Sequence, residues 1–203
     1  MIIDYKMGNM GSILNMLKRI GVQAIVSSLP EDILRADKLI LPGVGAFDNG
    51  MVNLKESGLL SVLSKKVLAK KTPILGICLG MQLLTRRSAE GRLEGLGWIG
   101  ADTVRFKFDR EESTLKIPHM GWNTVMFKPG SILSSGLESE ARFYFVHSYH
   151  VVCDREEDVV GTTSHGYEFV SAVQKNNIYG VQFHPEKSHK FGLQLLKNFV
   201  ELV

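Results

Sequence analysis

The sequence predicts an α/β protein with a mixed, mostly parallel sheet flanked by helices. Three observations carry that expectation. Short apolar runs alternate with helix-period segments through the first half of the chain, the pattern of βαβ units and a parallel sheet. The second half changes character and reads as a succession of short strands. Between them, Pro73-Ile74-Leu75-Gly76-Ile77-Cys78-Leu79-Gly80-Met81-Gln82 reads as a buried strand that turns sharply into an amphipathic helix, with Cys78 on the turn.

Taken in order, residues 1–3 form a strand that runs into the turn 4–9. Residues 12–20 carry apolar side chains at helical spacing and stop at Gly21, a C-cap signal. Residues 23–27 and 38–41 are strands, the latter ending at Pro42-Gly43, and 54–70 is a helix leading to the strand 72–77. In the second half, 98–106, 121–127, 142–152, 159–163, 169–175 and 178–183 read as strands. Asn176-Asn177 is a two-residue hairpin turn, since asparagine tolerates positive φ. Residues 189–202 form the closing helix, packing through Phe191, Leu195, Leu196 and Phe199. With no internal repeat, low-complexity segment or linker, residues 1–203 are expected to form a single domain.

Composition narrows the class. With 44% hydrophobic and 22% charged residues, the chain has the make-up of an ordinary soluble globular protein. A net charge of +3 without a long basic run does not imply nucleic acid. Two cysteines far apart in sequence argue for a reducing compartment rather than a disulfide scaffold, and Cys153 reads as a free thiol on a strand. No apolar stretch reaches membrane-spanning length, and the start Met1-Ile2-Ile3-Asp4 reads as a strand rather than a signal peptide, so a cytoplasmic location is expected.

The chemistry centres on Cys78. Gly76 and Gly80 flank it at i−2 and i+2, where a tight strand-to-helix turn needs backbone without a Cβ in the way. A cysteine at a helix N-terminus also feels the positive end of the helix dipole, which favours the thiolate. A lone Gly-x-Cys-x-Gly fits a buried structural cysteine equally well. A nucleophile needs a base and the base an orienting group, and Val181-Gln182-Phe183-His184-Pro185-Glu186-Lys187 offers both. Pro185 biases His184 toward extended backbone, in which Glu186 at i+2 stays on the imidazole's side. Thiolate attack on an amide creates an oxyanion that needs N–H donors. Leu79, the residue after the nucleophile, supplies one, and the loop Pro42-Gly43-Val44-Gly45 offers a second at Val44 or Gly45. His147 and His150, three apart in a predicted strand, would point to opposite faces and so give no metal site. Neither a phosphate loop nor a dinucleotide fingerprint follows a strand, so no cofactor is expected.

The Cys78 elbow, the later His184-Pro185-Glu186 and the earlier Pro42-Gly43-Val44-Gly45-Ala46-Phe47 together resemble the class I (triad) glutamine amidotransferases, over essentially the whole chain. The resemblance implies their flavodoxin-like fold and a Cys78–His184–Glu186 triad that hydrolyses L-glutamine to glutamate and ammonia. It further implies that Gln82, Glu90, Ser148 and Tyr149 bind glutamine. More narrowly the chain is similar to the glutaminase subunits of imidazole glycerol phosphate synthases, which form heterodimers with a (β/α)8-barrel cyclase and pass ammonia to it in histidine biosynthesis. Pro118-His119-Met120-Gly121-Trp122-Asn123 carries that narrower match, and aromatic and methionine side chains favour interface cores. By that resemblance His119, Met120, Trp122, Asn123, Tyr144 and Lys187 face the partner.

Some residues depart from the pattern. Lys6 stands where these subunits usually carry glycine, and Arg86-Arg87 where acidic or neutral residues are common. The stretch Lys187-Ser188-His189-Lys190-Phe191-Gly192 also fits relatives that serve a sugar amidotransferase in surface-polysaccharide synthesis. A stand-alone cysteine peptidase or γ-glutamyl hydrolase of similar fold is the further alternative.

Overall fold

Period-two alternation in the strands decides which side of the sheet each apolar residue serves. In the computed structural model, which describes residues 1–108 and 115–203, Ile2, Ile40, Leu75 and Ile77 fall in one core, while Ile3, Leu39, Leu41 and Ile74 fall in another on the opposite face. Helices cover both sides, so the central strands are buried along their length. Each fully buried Leu, Ile or Phe contributes roughly 1.5–3 kcal/mol, so these two cores carry most of the fold's stability.

In chain order the elements are β1 (Ile2–Ile3), α1 (Met10–Arg19), β2 (Val26–Ser27), α2 (Pro30–Arg35), β3 (Leu39–Gly43), α3 (Phe47–Glu56) and α4 (Leu59–Ser64), the last running into a π-helical turn at Lys65–Ala69. Then come β4 (Ile74–Cys78), α5 (Leu79–Leu83), β5 (Ala101–Arg105), β6 (His119–Thr124), β7 (Met126–Phe127), β8 (Arg142–His147) and β9 (Tyr149–Cys153). Strands β10 (Val159–His165), β11 (Tyr167–Lys175) and β12 (Ile178–Val181) precede the closing helix α6 (His189–Glu201). Strands β2-β1-β3-β4-β12 lie side by side and parallel, and β11, β10 and β7 extend the same sheet antiparallel. Strand β9 branches from β11 and pairs with β5, while β6 and β8 form a separate antiparallel ribbon.

Several boundaries differ from the sequence reading, each for a local reason. The helix expected over 54–70 is three pieces, because Gly58 adopts φ +71 and breaks it, while its first part begins earlier at Phe47. Helix α2, which the apolar spacing does not announce, opens with proline at its first position, where the fixed φ suits a helix start. The strand expected over 23–27 is reduced to Val26–Ser27. The strand expected over 142–152 is two strands that serve different neighbours, β8 pairing with β6 and β9 with β5 and β11, with the break at Ser148. The helix after Cys78 is not amphipathic: α5 has five residues and all are buried. The hairpin at Asn176-Asn177 forms as expected, with Asn176 at φ +54. Lys6 also lies at positive φ, +64, a conformation that favours glycine.

Candidate active site

Parallel pairing brings the site together. Gly43 pairs opposite Cys78, and Val181 opposite Ile77, so the carboxyl ends of β3, β4 and β12 end side by side. Ligands of open α/β sheets bind at such ends. The Val44–Gly45 loop, Cys78 and the segment through His184 therefore meet although they are far apart in sequence.

Cys78 sits at φ +53, a conformation that costs a non-glycine residue about 1–3 kcal/mol and persists where the surroundings enforce it. The enforcement is steric. A Cβ on Gly80 would overlap the carbonyl oxygen of Leu41, and one on Gly76 would lie 2.7 Å from the carbonyl oxygen of Gly80. Only glycine at both positions lets the turn close this tightly. Helix α5, which follows Cys78, is only five residues long, so its dipole is weak.

His184 is fixed through its backbone and its ring. Its N–H donates to the Tyr144 carbonyl at 2.8 Å, and its carbonyl accepts from Ser188 Oγ at 2.6 Å, while Ser188 Oγ accepts from the Tyr144 N–H at 3.0 Å. The ring Nδ1 lies 2.8 Å from Glu186 Oε1, both side chains being 2% exposed. The buried Nε2 is engaged by no group of the site other than Cys78. Burial, the largest single influence, opposes charge on the ring. Hydrogen bonding and charge attraction from Cys78 and Glu186 together outweigh it, and the imidazolium is pushed up to about 10. The ring is thus held as a cation between two potential anions.

A cavity of about 270 Å³ opens over these groups. Val44, Gly45, Cys78, Leu79 and His184 line one end, and Gln82, Glu90, Ser148 and Tyr149, with Pro118, Val146 and His147, line the rest. Gly45 lies at φ +119, which aims its peptide in a way other residues disfavour. Gln82 donates both amide hydrogens, to the Tyr149 carbonyl at 3.1 Å and to Gln182 Oε1 at 3.0 Å, so toward a ligand it presents its oxygen, an acceptor. Glu90 Oε2 accepts the Phe47 N–H at 2.8 Å, capping α3, and Asp48 on that helix accepts the backbone N–H groups of Arg92 and Leu93. The Glu90 loop is thereby pinned over the cavity.

The expected partner-facing residues divide. Met120 and Trp122 are 63% and 40% exposed, so the tryptophan is not a core residue. Trp122 stacks on His189 at 5.3 Å, and Lys187 Nζ lies 5.5 Å from the centre of the Tyr144 ring, giving a continuous aromatic and cationic surface beside the cavity. His119 does not belong to it. Strand alternation turns it inward, where its ring stacks on His165 at 4.2 Å and packs against Phe145. The Asn123 amide likewise turns away from that surface, donating to the Ser164 carbonyl. Because β8 and β9 part at Ser148, His147 and His150 do not diverge as expected; both rings pack against Phe106, at 5.3 and 4.6 Å. Among the described residues no three His, Cys, Asp or Glu side chains come together to hold a metal ion.

Three residues of the site escaped the sequence reading. Tyr5 is buried, donates to the Pro42 carbonyl at 2.5 Å and so ties down the loop that carries Val44 and Gly45. Burial, and then the charge of Cys78, raise its phenol well above the usual range. Ser188 anchors the backbone of His184, and Gln182 donates to Cys78 Sγ at 3.7 Å. The one sequence signal for Gln182 was its place two residues before His184 on an extended segment.

A cysteine on a strand–helix elbow lies beside a buried His–Glu pair at the carboxyl edge of a parallel sheet, the arrangement expected of a triad amidotransferase. The profile of the family described as "Glutamine amidotransferase class-I" matches residues 1–202, and the chain belongs to that family. "Imidazole glycerol phosphate synthase subunit HisH 2" of Methanococcus maripaludis is 60% identical over 200 residues, covering 98% of each chain. The protein of the same name from Pseudomonas aeruginosa is 52% identical over 202 residues, covering 100% of this chain and 98% of its own. Among solved structures, a glutamine amidotransferase superposes with a TM-score of 0.72 at 20% identity, covering 99% and 97% of the two chains. The Trypanosoma brucei CTPS glutaminase domain with bound acivicin superposes at 0.66 and 16% identity, covering 98% and 92%. These last two show the shared fold.

Proposed function

We propose that this chain is the glutaminase subunit of an imidazole glycerol phosphate synthase, hydrolysing L-glutamine and passing the ammonia to a (β/α)8-barrel cyclase partner in the cytoplasm. The observation that carries the reading is the geometry of the buried His184 ring, held by Glu186 on one nitrogen and left to Cys78 on the other. An imidazolium beside a thiolate at neutral pH is the resting state of a cysteine nucleophile. The names of the full-length relatives supply the pathway.

The thiolate of Cys78 attacks the carboxamide carbon of glutamine, and the carbonyl π pair moves to oxygen. Backbone N–H groups of Leu79 and of Val44 or Gly45 receive that oxyanion. As the C–N bond breaks, His184 gives its Nε2 proton to the leaving nitrogen, so ammonia departs and a γ-glutamyl thioester remains. Neutral His184 then takes a proton from water, whose oxygen attacks the thioester carbon; glutamate leaves and the imidazolium–thiolate pair is restored. Glu186 holds the ring and its charge throughout. The Gln82 oxygen meets the substrate's N–H groups, and Glu90, Ser148 and Tyr149 hold its α-amino and carboxylate end. Met120, Trp122, Tyr144 and Lys187 form the surface the partner covers, sealing the route that ammonia takes.

The test is glutamate release from glutamine by the purified chain, alone and with a histidine-pathway barrel cyclase and that cyclase's ligand. Strong stimulation by the pair is expected. Release that ignores the cyclase but responds to a sugar amidotransferase would move the chain to polysaccharide synthesis. Release of amino acids from peptides or γ-glutamyl chains would make it a stand-alone hydrolase.

A further inference from the structure

The nucleophile is one end of a buried hydrogen-bond network whose other end is the partner-facing strand, and every orientation in that network is fixed by groups that have no choice of role. Asn123 Oδ1 accepts the Thr124 N–H at 2.8 Å, so its Nδ2 must be the atom 2.8 Å from the Ser164 carbonyl and 3.1 Å from His119 Nε2. An amide nitrogen only donates, so His119 Nε2 carries no proton and its Nδ1–H donates to His147 Nε2 at 3.0 Å. That leaves His147 with its proton on Nδ1, where the Tyr149 carbonyl accepts it at 2.7 Å. The same carbonyl accepts from Gln82 Nε2, whose second hydrogen goes to Gln182 Oε1. With its oxygen engaged, Gln182 can turn only its Nε2 toward Cys78 Sγ. Gln82 and Gln182 are both buried, as are His119 and His147, and the network meets water at its Asn123 end.

Resting on the glutaminase reading, we propose that Gln182 is a further catalytic residue, donating to the Cys78 thiolate, and that Asn123, His119 and His147 are positioning residues which fix its orientation from strand β6. Burial holds both histidines neutral, as the two single-proton tautomers require: His147 is pushed down to about 3, and His119, also lowered by the neighbouring His165, to about 4. The ionisable groups that face Cys78 are His184 and, across the β3 end, Tyr5, whose hydroxyl already donates to Pro42. Gln182 is thus the uncharged donor to the thiolate, and it steadies sulfur without competing for the proton that His184 must deliver. The network also gives β6 a physical handle on the nucleophile. Its outward residues Met120 and Trp122 lie on the surface assigned to the partner, and its inward residues His119 and Asn123 hold the network.

The test is the pH profile of Cys78 alkylation by iodoacetamide in the full chain, followed by peptide mapping. A hydrogen bond to an ionised group is worth enough to move the midpoint of labelling upward by about one unit when Gln182→Met removes it, slowing labelling roughly tenfold at pH values below the midpoint. Gln182→Glu, which puts a carboxylate against the thiolate, is expected to move it further in the same direction. A midpoint unchanged in both variants, in protein with normal Cys78 labelling, would overturn the proposal. Because Gln182 is fully buried, a second measurement uses the unaltered chain: nitrogen-15 spectra of the histidine rings are expected to show His119 and His147 both protonated on Nδ1. A proton on Nε2 of either ring would break the network and the proposal with it. Absence of glutamate release by the unaltered chain with its partner would instead sink the glutaminase reading, leaving the labelling result to stand by itself.

Discussion

His184 and His147 line the same cavity, are both buried, and titrate in opposite directions. Burial is the largest influence on each and lowers both. His147 has only the Tyr149 carbonyl to favour its charged form, with other histidines opposing it, and it falls to about 3. His184 has Cys78 and Glu186, and it rises to about 10. The difference teaches that depth does not assign the acid and the base in this site; the anions within reach do. One ring is held charged and the other neutral.

The sharpest way to break the comparison is to remove the anions. Cys78→Ala is expected to abolish glutamate release, while synthesis by the partner from added ammonia persists; loss of both would make Cys78 a structural residue. Glu186→Gln keeps the shape but leaves His184 without its orienting charge, and a fall of at least about a hundredfold in kcat is expected. Steady-state kinetics reads both.

Stability against pH sharpens it further. A ring raised from 6.5 to about 10 adds stability that is complete below pH 6.5 and is lost as pH climbs toward 10. The midpoint of thermal unfolding should therefore fall across that window, and Cys78→Ala should flatten the fall. On the other side, His147 and His119 are lowered, so their contribution is present above pH 6.5 and is lost as pH drops toward 4 for His119 and toward 3 for His147. Denaturant titrations should show a steep loss of stability there, with a slope smaller by about one proton in His147→Gln. The smallest effect belongs to the exposed network in which Arg86 pairs with Asp102 and Asp154. Arg86→Ala should leave the unfolding midpoint unchanged, because solvent screens such pairs.

What the sequence revealed follows from the range of each constraint. Gly76, Cys78 and Gly80 were legible because the steric demand of the elbow acts within a few residues. His184 and Glu186 were legible because Pro185 sets local backbone. The two-residue turn at Asn176-Asn177 was legible for the same reason. The break at Ser148 was not, since apolar alternation runs through it and only pairing with β6 on one side and β5 on the other separates the strands. Gln182 was not, because its chemistry depends on Cys78 and Gln82, each about a hundred residues away. His119 was placed on the wrong side of its strand for want of a register, which the pairing with His147 supplies.

Labelling with a diazo-ketone analogue of glutamine tests the central claim most directly, because it asks for glutamine recognition and a reactive thiolate in one step. The chain holds a second cysteine as an internal control: burial, and then Asp158 and Asp154, push the Cys153 thiol up to about 12. Peptide mapping should find the label on Cys78 alone, blocked by glutamine and gone in Cys78→Ala. Label on Cys153, or labelling that survives Cys78→Ala, would contradict the account.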